Sequence, residues 1–290
     1  MKNKFLWTAA LAGLVLPLHA ASLTESTFTE VVNNVKVVSG ADKTTTPAKA
    51  NDLFKSPDLV RTGAGSRAEM TAPDQTITRV GANTVFSFEP AGRNLNLEQG
   101  NILFHSPAGK GGGTIKSAGA VAAVLGTTLI VSATTDGGFK VILLEGKGSV
   151  TLPSGQSVTL NAGQLVFVLP GQKGFSEVLT INLAKLVGGS QLVNGFAHTL
   201  PSWPLIAAAI DEQNSQLADG DAQDTGKPPG NGLAVIDHGT YQTANHPAYT
   251  PEQFFKLLGK GQDSHPGTGG GDRPFAPVGF PQVRAVTLTK

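Results

Sequence analysis

The residues that could do chemistry are few and dispersed. Glu69, Glu89, Glu98 and Glu145 fall in separate apolar-alternating stretches. A glycosidase needs two carboxylates brought within several ångströms of each other, and no flanking aromatics mark a sugar site around these four. Phe86 and Phe88 read as core, and both tryptophans lie outside the strand-rich region. His105 is the one histidine of that region and falls on an expected strand, where a structural role outweighs a catalytic one. No Gly-x-Ser-x-Gly elbow occurs, so nucleophilic catalysis has no support in the sequence. The chain has no cysteine, which removes disulfides, thiolate metal ligands and a thiol nucleophile together.

The candidate binding loops fail on order. Gly63 and Gly65 permit a tight reversal, but the third glycine and the following helix of a dinucleotide fingerprint are missing. Lys110 precedes the glycines at 111–113, whereas a phosphate loop ends on Gly-Lys-Ser/Thr and opens a helix. Asp219, Asp221 and Asp224 resemble a calcium loop without its glycine or its distant glutamate, and read as solvated linker. His238, His246 and His265 are too far apart to read as a metal site. No catalytic, cofactor-binding or metal-ligating residue is assigned, and no cofactor is expected. A formal net charge of +1 offers no basic excess for nucleic acid.

The elements around these residues are short strands. Charged residues are only 15% of the chain and glycine reaches 36 residues, which points to many turns and few long helices. Alternating segments separated by turn signals run from residue 34 to residue 169, the spacing of a sandwich, barrel or solenoid. Residues 22–32 read as polar and partly unordered, and 41–49 as a Thr-rich loop. Residues 94–98 and 101–105 read as two strands separated by Gly100. The densest part is 121–164. Its apolar runs at 129–131 and 141–144 are continuous, as in strands buried on both faces, which places the stretch in the middle of the sheet structure. Gly137–Gly138 and Pro153–Gly155 supply hairpin turns.

The character changes near Glu177. Ile181, Leu183, Leu186, Val187, Leu192, Val193 and Phe196 predict one or two short helices interrupted at Gly188–Gly189. A further helix is expected over 204–213, with Leu205, Ile206, Ala209 and Ile210 on one side. Residues 211–290 hold 12 Gly and 8 Pro, the level at which disorder is expected. Within them Thr250, Pro251 and Gln253 form a capping box for a short helix over 251–258. At the other end, Lys2 and Lys4 precede an apolar run over 5–16, Pro17, and the small residues Ala20 and Ala21. This is the layout of a secretory signal peptide. The run is too short for an ordinary membrane span, and cleavage after Ala21 would leave a nearly neutral chain. No later stretch is apolar enough to cross a membrane.

Several short motifs in order resemble the FecR domain family. They are Asp58-Leu-Val-Arg-Thr-Gly with Ser66-Arg-Ala-Glu, Arg79-Val-Gly-Ala-Asn-Thr, Leu97-Glu-Gln-Gly, Leu125-Gly-Thr-Thr-Leu-Ile-Val, Leu144-Glu-Gly and Leu160-Asn-Ala-Gly-Gln. The resemblance covers about residues 34–170. It implies an all-β extracytoplasmic module and makes Gly126, Gly146 and Gly163 family turn positions rather than ligand loops. In the namesake regulators the domain passes a signal from an outer-membrane transporter to a cytoplasmic anti-sigma segment. This chain shows a signal peptide in place of that segment.

The expected organisation is a signal peptide (1–21) and a FecR-like β domain (22–176), antiparallel or solenoid-like, of many short strands. Short helices packed on it (177–213) and a largely disordered Gly/Pro-rich tail (214–290) follow. The expected role is an exported, non-catalytic binding or scaffold protein, periplasmic or extracellular and linked to envelope signalling. Its partner would be another envelope protein or a surface glycan. The alternative is a secreted carbohydrate-active enzyme or carbohydrate-binding protein.

Overall fold

A computed structural model describes residues 22–224 and the short segment 286–288. The signal peptide, the 251–258 helix and most of the expected tail lie outside the described residues.

The first half of the domain contains β1 (Glu25–Val32), β2 (Val35–Val38), β3 (Thr45–Pro47), β4 (Leu53–Lys55), β5 (Leu59–Thr62), β6 (Arg67–Thr71), β7 (Ile77–Val80), β8 (Val85–Phe88) and β9 (Asn94–His105). The second half contains β10 (Gly113–Lys116), β11 (Val121–Val124), β12 (Thr128–Ala133), β13 (Phe139–Glu145), β14 (Lys147–Thr151), β15 (Ser157–Asn161), β16 (Gln164–Val168) and β17 (Leu179–Thr180). Helices α1 (Leu183–Gly189), α2 (Gln191–Asn194) and α3 (Trp203–Asp219) come next. Then β18 (Ala222–Asp224) pairs antiparallel with β19 (Val286–Leu288).

Pairing sorts the strands into two layers. Sheet A runs β4-β1-β6-β7-β9-β12-β13-β16-β17. Sheet B runs β3-β2-β5-β8-β9-β10-β11-β14-β15. These pairs are antiparallel except β9 with β10. Strand β9 belongs to both layers. Its first half pairs with β8 and β10, and from Gly100 onward it pairs with β12. The two strands expected around Gly100 are therefore one. Gly100 has φ 97°, and an added Cβ would lie 2.2 Å from Thr84 Oγ1, so only glycine lets the strand turn from one layer into the other. Gly126, Gly146 and Gly163 all take positive φ, as their reading as turn positions requires.

The inner faces of both sheets enclose one apolar core. Phe54 from sheet A stands 5.7 Å from Phe86 and 5.2 Å from Phe88 of sheet B, and 6.1 Å from Phe28. A second core lies between the outer face of sheet A and the helices. It contains Leu103, Ile130, Ile142 and Leu165 together with Leu183, Leu186, Leu192 and Ile206. Around β12 and β13 sheet A is thus dry on both sides, which is why these strands read as continuous apolar runs. Leu129, Val131, Val141 and Leu143 point to the inner core, while Ile130, Ile142 and Leu144 point to the outer one.

Several expectations are corrected. Residues 25–32 form a strand, because Phe28 reaches the inner core and the main chain pairs with β4 and β6 on either side. The 41–49 loop contains β3, whose exposed side chains hide the pairing with β2. Strand β15 closes one edge of sheet B, so the 121–164 stretch reaches from the centre of one sheet to the margin of the other. Helix α3 continues to Asp219, where Gly220 caps it in the left-handed conformation. Residues 214–219 and 222–224 are therefore ordered rather than tail. Leu205 is exposed, whereas Ile206 is buried and Ala209 and Ile210 pack beside it against the outer core.

Ile130→Asp and Leu143→Asp each place an unpaired carboxylate in one of the two cores, and each should cost more than about 4 kcal/mol. Denaturant unfolding of both variants tests this; a native melting transition in either would misplace that core.

Candidate functional site

The outer face of sheet A should be purely apolar beneath its helices, and it is not. Register shows where the polar groups fall. One row across the strands reads Ile77, His105, Thr128, Glu145. The next reads Glu30, Glu69, Arg79, Leu103, Ile130, Ile142, Leu165. A third reads Asn101, Ser132, Lys140, Phe167.

The first row holds a closed polar cluster. Thr128 Oγ1 lies 2.6 Å from Glu145 Oε1, 2.8 Å from Ser202 Oγ and 2.9 Å from His105 Nδ1. A hydroxyl has one proton and two lone pairs. Thr128 Oγ1–H thus has two acceptors in reach, Glu145 Oε1 and Ser202 Oγ, and serves one at a time, while His105 Nδ1 in its N–H tautomer donates to Thr128. All four residues are buried. Burial lowers the His105 pKa and raises that of Glu145 against the bond from Thr128. A serine, a histidine and an acid are thus gathered, but Thr128 sits between them. Ser202 Oγ contacts Thr128 rather than the imidazole, so the hydroxyl lacks the partner that would activate it. The cluster instead fastens the start of α3, which Ser202 precedes, to the sheet.

The second row holds a clamp. Arg79 is fully buried, and its Nε donates to Glu69 Oε2 at 2.7 Å. Its Nη1 donates to the carbonyls of Leu192 at 3.1 Å and Val193 at 2.7 Å, and its Nη2 to that of His198. The Phe196 ring lies over the guanidinium, 4.5 Å from centroid to Cζ. Burial lowers the Arg79 pKa, and Glu69 opposes that shift. Around this centre, Arg67 Nε donates to the Gly195 carbonyl, the Ala197 amide donates to Glu30 Oε2 at 2.8 Å, and Thr29 Oγ1 donates to Glu69 Oε1 at 2.8 Å. The sheet grips residues 192–198 almost wholly through their main chain.

The expected acids do not converge. Glu69 and Glu145 are four strand spacings apart along the sheet, roughly 19 Å. Glu89 pairs with Lys116 at 2.9 Å near the surface, and Glu98 is exposed. Glu30 stands opposite Glu69 in register, but its carboxylate is engaged by the Ala197 amide and that of Glu69 by Arg79 and Thr29. Lys110 sits in a loop that runs into β10 rather than a helix, and Arg93 Nε holds that loop through the Gly112 carbonyl at 2.6 Å. Among the described residues no three His, Asp or Glu side chains are grouped to hold a metal ion. His238, His246 and His265 lie outside the described residues.

Sequence reasoning missed Arg67, Arg79, Thr128, Lys140 and Ser202. A signal existed for two of them. Arg79 shares the strand parity of the buried Ile77, and Lys140 interrupts an apolar run on β13. A charge at a core-facing position marks a buried contact.

Two outcomes follow. Arg79→Ala leaves Glu69 and the carbonyls of the 192–198 segment without their donor, and should cost about 3–5 kcal/mol. Amides of that segment should then exchange faster, and adding Glu69→Gln should recover part of the loss. Unchanged exchange would dissolve the clamp. For Lys140, burial lowers the pKa from 10.5 to about 7. Between those values the unfolded chain binds the proton and the folded chain does not, so stability rises with pH across the window. Melting temperatures from neutral to alkaline pH should climb in the wild type and stay level in Lys140→Met.

No curated protein matches the chain. Two crystal structures of a candidate anti-sigma factor from Parabacteroides distasonis, at 1.65 Å and 2.50 Å, are similar in part. The first shares 21% identity over 41% of this chain and 57% of its own, with a TM-score of 0.37. The second shares 20% over 47% of this chain and 64% of its own, with a TM-score of 0.41. The match spans less than two-thirds of either structure. A family model, FecR protein, matches residues 58–147, a narrower span than the motifs had outlined. That span contains Glu69, Arg79, His105, Thr128 and Glu145, while the helical segment they hold lies beyond it. The FecR resemblance therefore holds over residues 58–147, where this chain carries a FecR-like domain.

Proposed function

We propose that the chain is an exported, non-catalytic scaffold protein that uses its FecR-like domain to contact another envelope protein in signalling across the envelope. The observation that supports this most directly is the Arg79 clamp. The outer face of sheet A binds a segment of its own chain through main-chain carbonyls, using one buried guanidinium on which the segment's own Phe196 ring stacks. Both this clamp and the polar cluster beside it are spent on the protein's own helical segment, which gives this face a structural rather than a catalytic role and leaves sheet B for a partner. The FecR match over residues 58–147 is consistent with such a role. The basic and apolar start of the chain, with Ala20 and Ala21 as the cleavage point, supports export.

Fractionation of expressing cells should recover the protein outside the cytoplasm with Ser22 as its first residue. Cross-linking in intact cells should then give one reproducible adduct with an envelope protein. A cytoplasmic, uncleaved chain would remove the export reading. Adducts with glycan alone, or turnover of a polysaccharide by the purified protein, would replace the scaffold reading with the carbohydrate one.

A further inference from the structure

Sheet B ends in two unlike edges. At one, β3 carries Pro47 and is flanked by Lys43 and Lys49, the proline and charges that keep an open edge from pairing with another chain. At the other, β15 has β14 as its one neighbour among the described residues, and it carries no such device. Its sequence, Ser-Val-Thr-Leu-Asn, has no charge, proline or glycine. The Asn161 amide donates to Gln164 Oε1 at 2.8 Å rather than across to β14. Main-chain groups alternate in direction along an antiparallel strand, so Ser157 and Thr159 also turn theirs outward from the edge. The side chains of Ser157, Thr159 and Asn161 are exposed, whereas Leu160 is fully buried and Val158 packs against the inner core.

We infer that β15 pairs antiparallel with β15 of a second copy, about a twofold axis at Thr159, joining the two B sheets into one. The strand is palindromic in polarity about that residue. Thr159 meets its own copy, Val158 meets Leu160, and Ser157 meets Asn161. Apolar side chains then adjoin on the core side and hydroxyls and amides on the solvent side, with no like charges opposed. The Thr159 main chains exchange two hydrogen bonds, and each Ser157 N–H reaches an Asn161 carbonyl. Gln164, which already satisfies the Asn161 amide, marks where this ladder stops. The contact uses the same patch on both chains, so it closes as a dimer and does not propagate.

The absence of cysteine gives a clean test. In a hydrogen-bonded antiparallel pair the facing Cα atoms lie about 5.5 Å apart, within disulfide range. Full-length mature protein carrying Thr159→Cys should form a covalent dimer on mild oxidation, and Thr46→Cys on the β3 edge should not. Sedimentation equilibrium should give the mass of two chains for the wild type. It should give one chain for Thr159→Lys, whose circular dichroism should still be that of the folded chain because the side chain is exposed. A wild type that stays single at its highest soluble concentration overturns the proposal. So does a folded Thr159→Lys that remains dimeric, equal cross-linking at both edges, or a Thr159→Cys adduct with a different protein in place of the copy.

Discussion

The middle of sheet A is dry on both faces, and much of the structure follows from that constraint. A two-layer β protein can leave its outer faces to water. Here the helices seal the middle of one of them, where a buried polar group is costly unless it finds its partner within the protein. The guanidinium of Arg79 is the severest case. Burying it is costly, and only the combination of Glu69, three main-chain carbonyls and the Phe196 ring makes the position tenable. Those carbonyls belong to residues 192–198, between α1 and α3. The charge on the sheet and the path of the helical segment therefore determine one another, and neither would be placed without the other.

The same constraint separates what could be read in the sequence from what could not. The continuous runs of β12 and β13 were legible as strands buried on both faces, and α1 and α2 as a pair of short helices, because periodicity is local, although α1 includes Gly188 and Gly189 and the break falls at Ser190. The motifs were also legible because turn glycines such as Gly126 and Gly146 report backbone conformation directly. Strand β1 was not. Its outward residues are polar and its single large inward residue, Phe28, gains meaning only from Phe54 across the core. The clamp was illegible for a similar reason: Arg79 contacts Leu192, Val193 and His198 through their carbonyls, which every residue type carries. The His105–Thr128–Glu145 cluster needed register. Its members lie 17 to 23 residues from Thr128, a spacing that carries no periodic signal.

Committing the outer face of sheet A to the helices also decides which surface can meet anything else. The outer face of sheet B is different in kind. Across β9, β10, β11, β14 and β15 one row reads Asn94, Thr114, Ala123, Ser149, Thr159, and the next reads Asn96, Lys116, Val121, Thr151, Ser157. These side chains are short, mostly polar and part- or fully exposed. No helix among the described residues packs on them. Apart from Lys116, which pairs with Glu89, these side chains make a level surface whose shape the main chain sets. The β domain therefore has a division of labour: one sheet holds the protein's own helices through buried charge, and the other presents a shallow polar surface and an open edge.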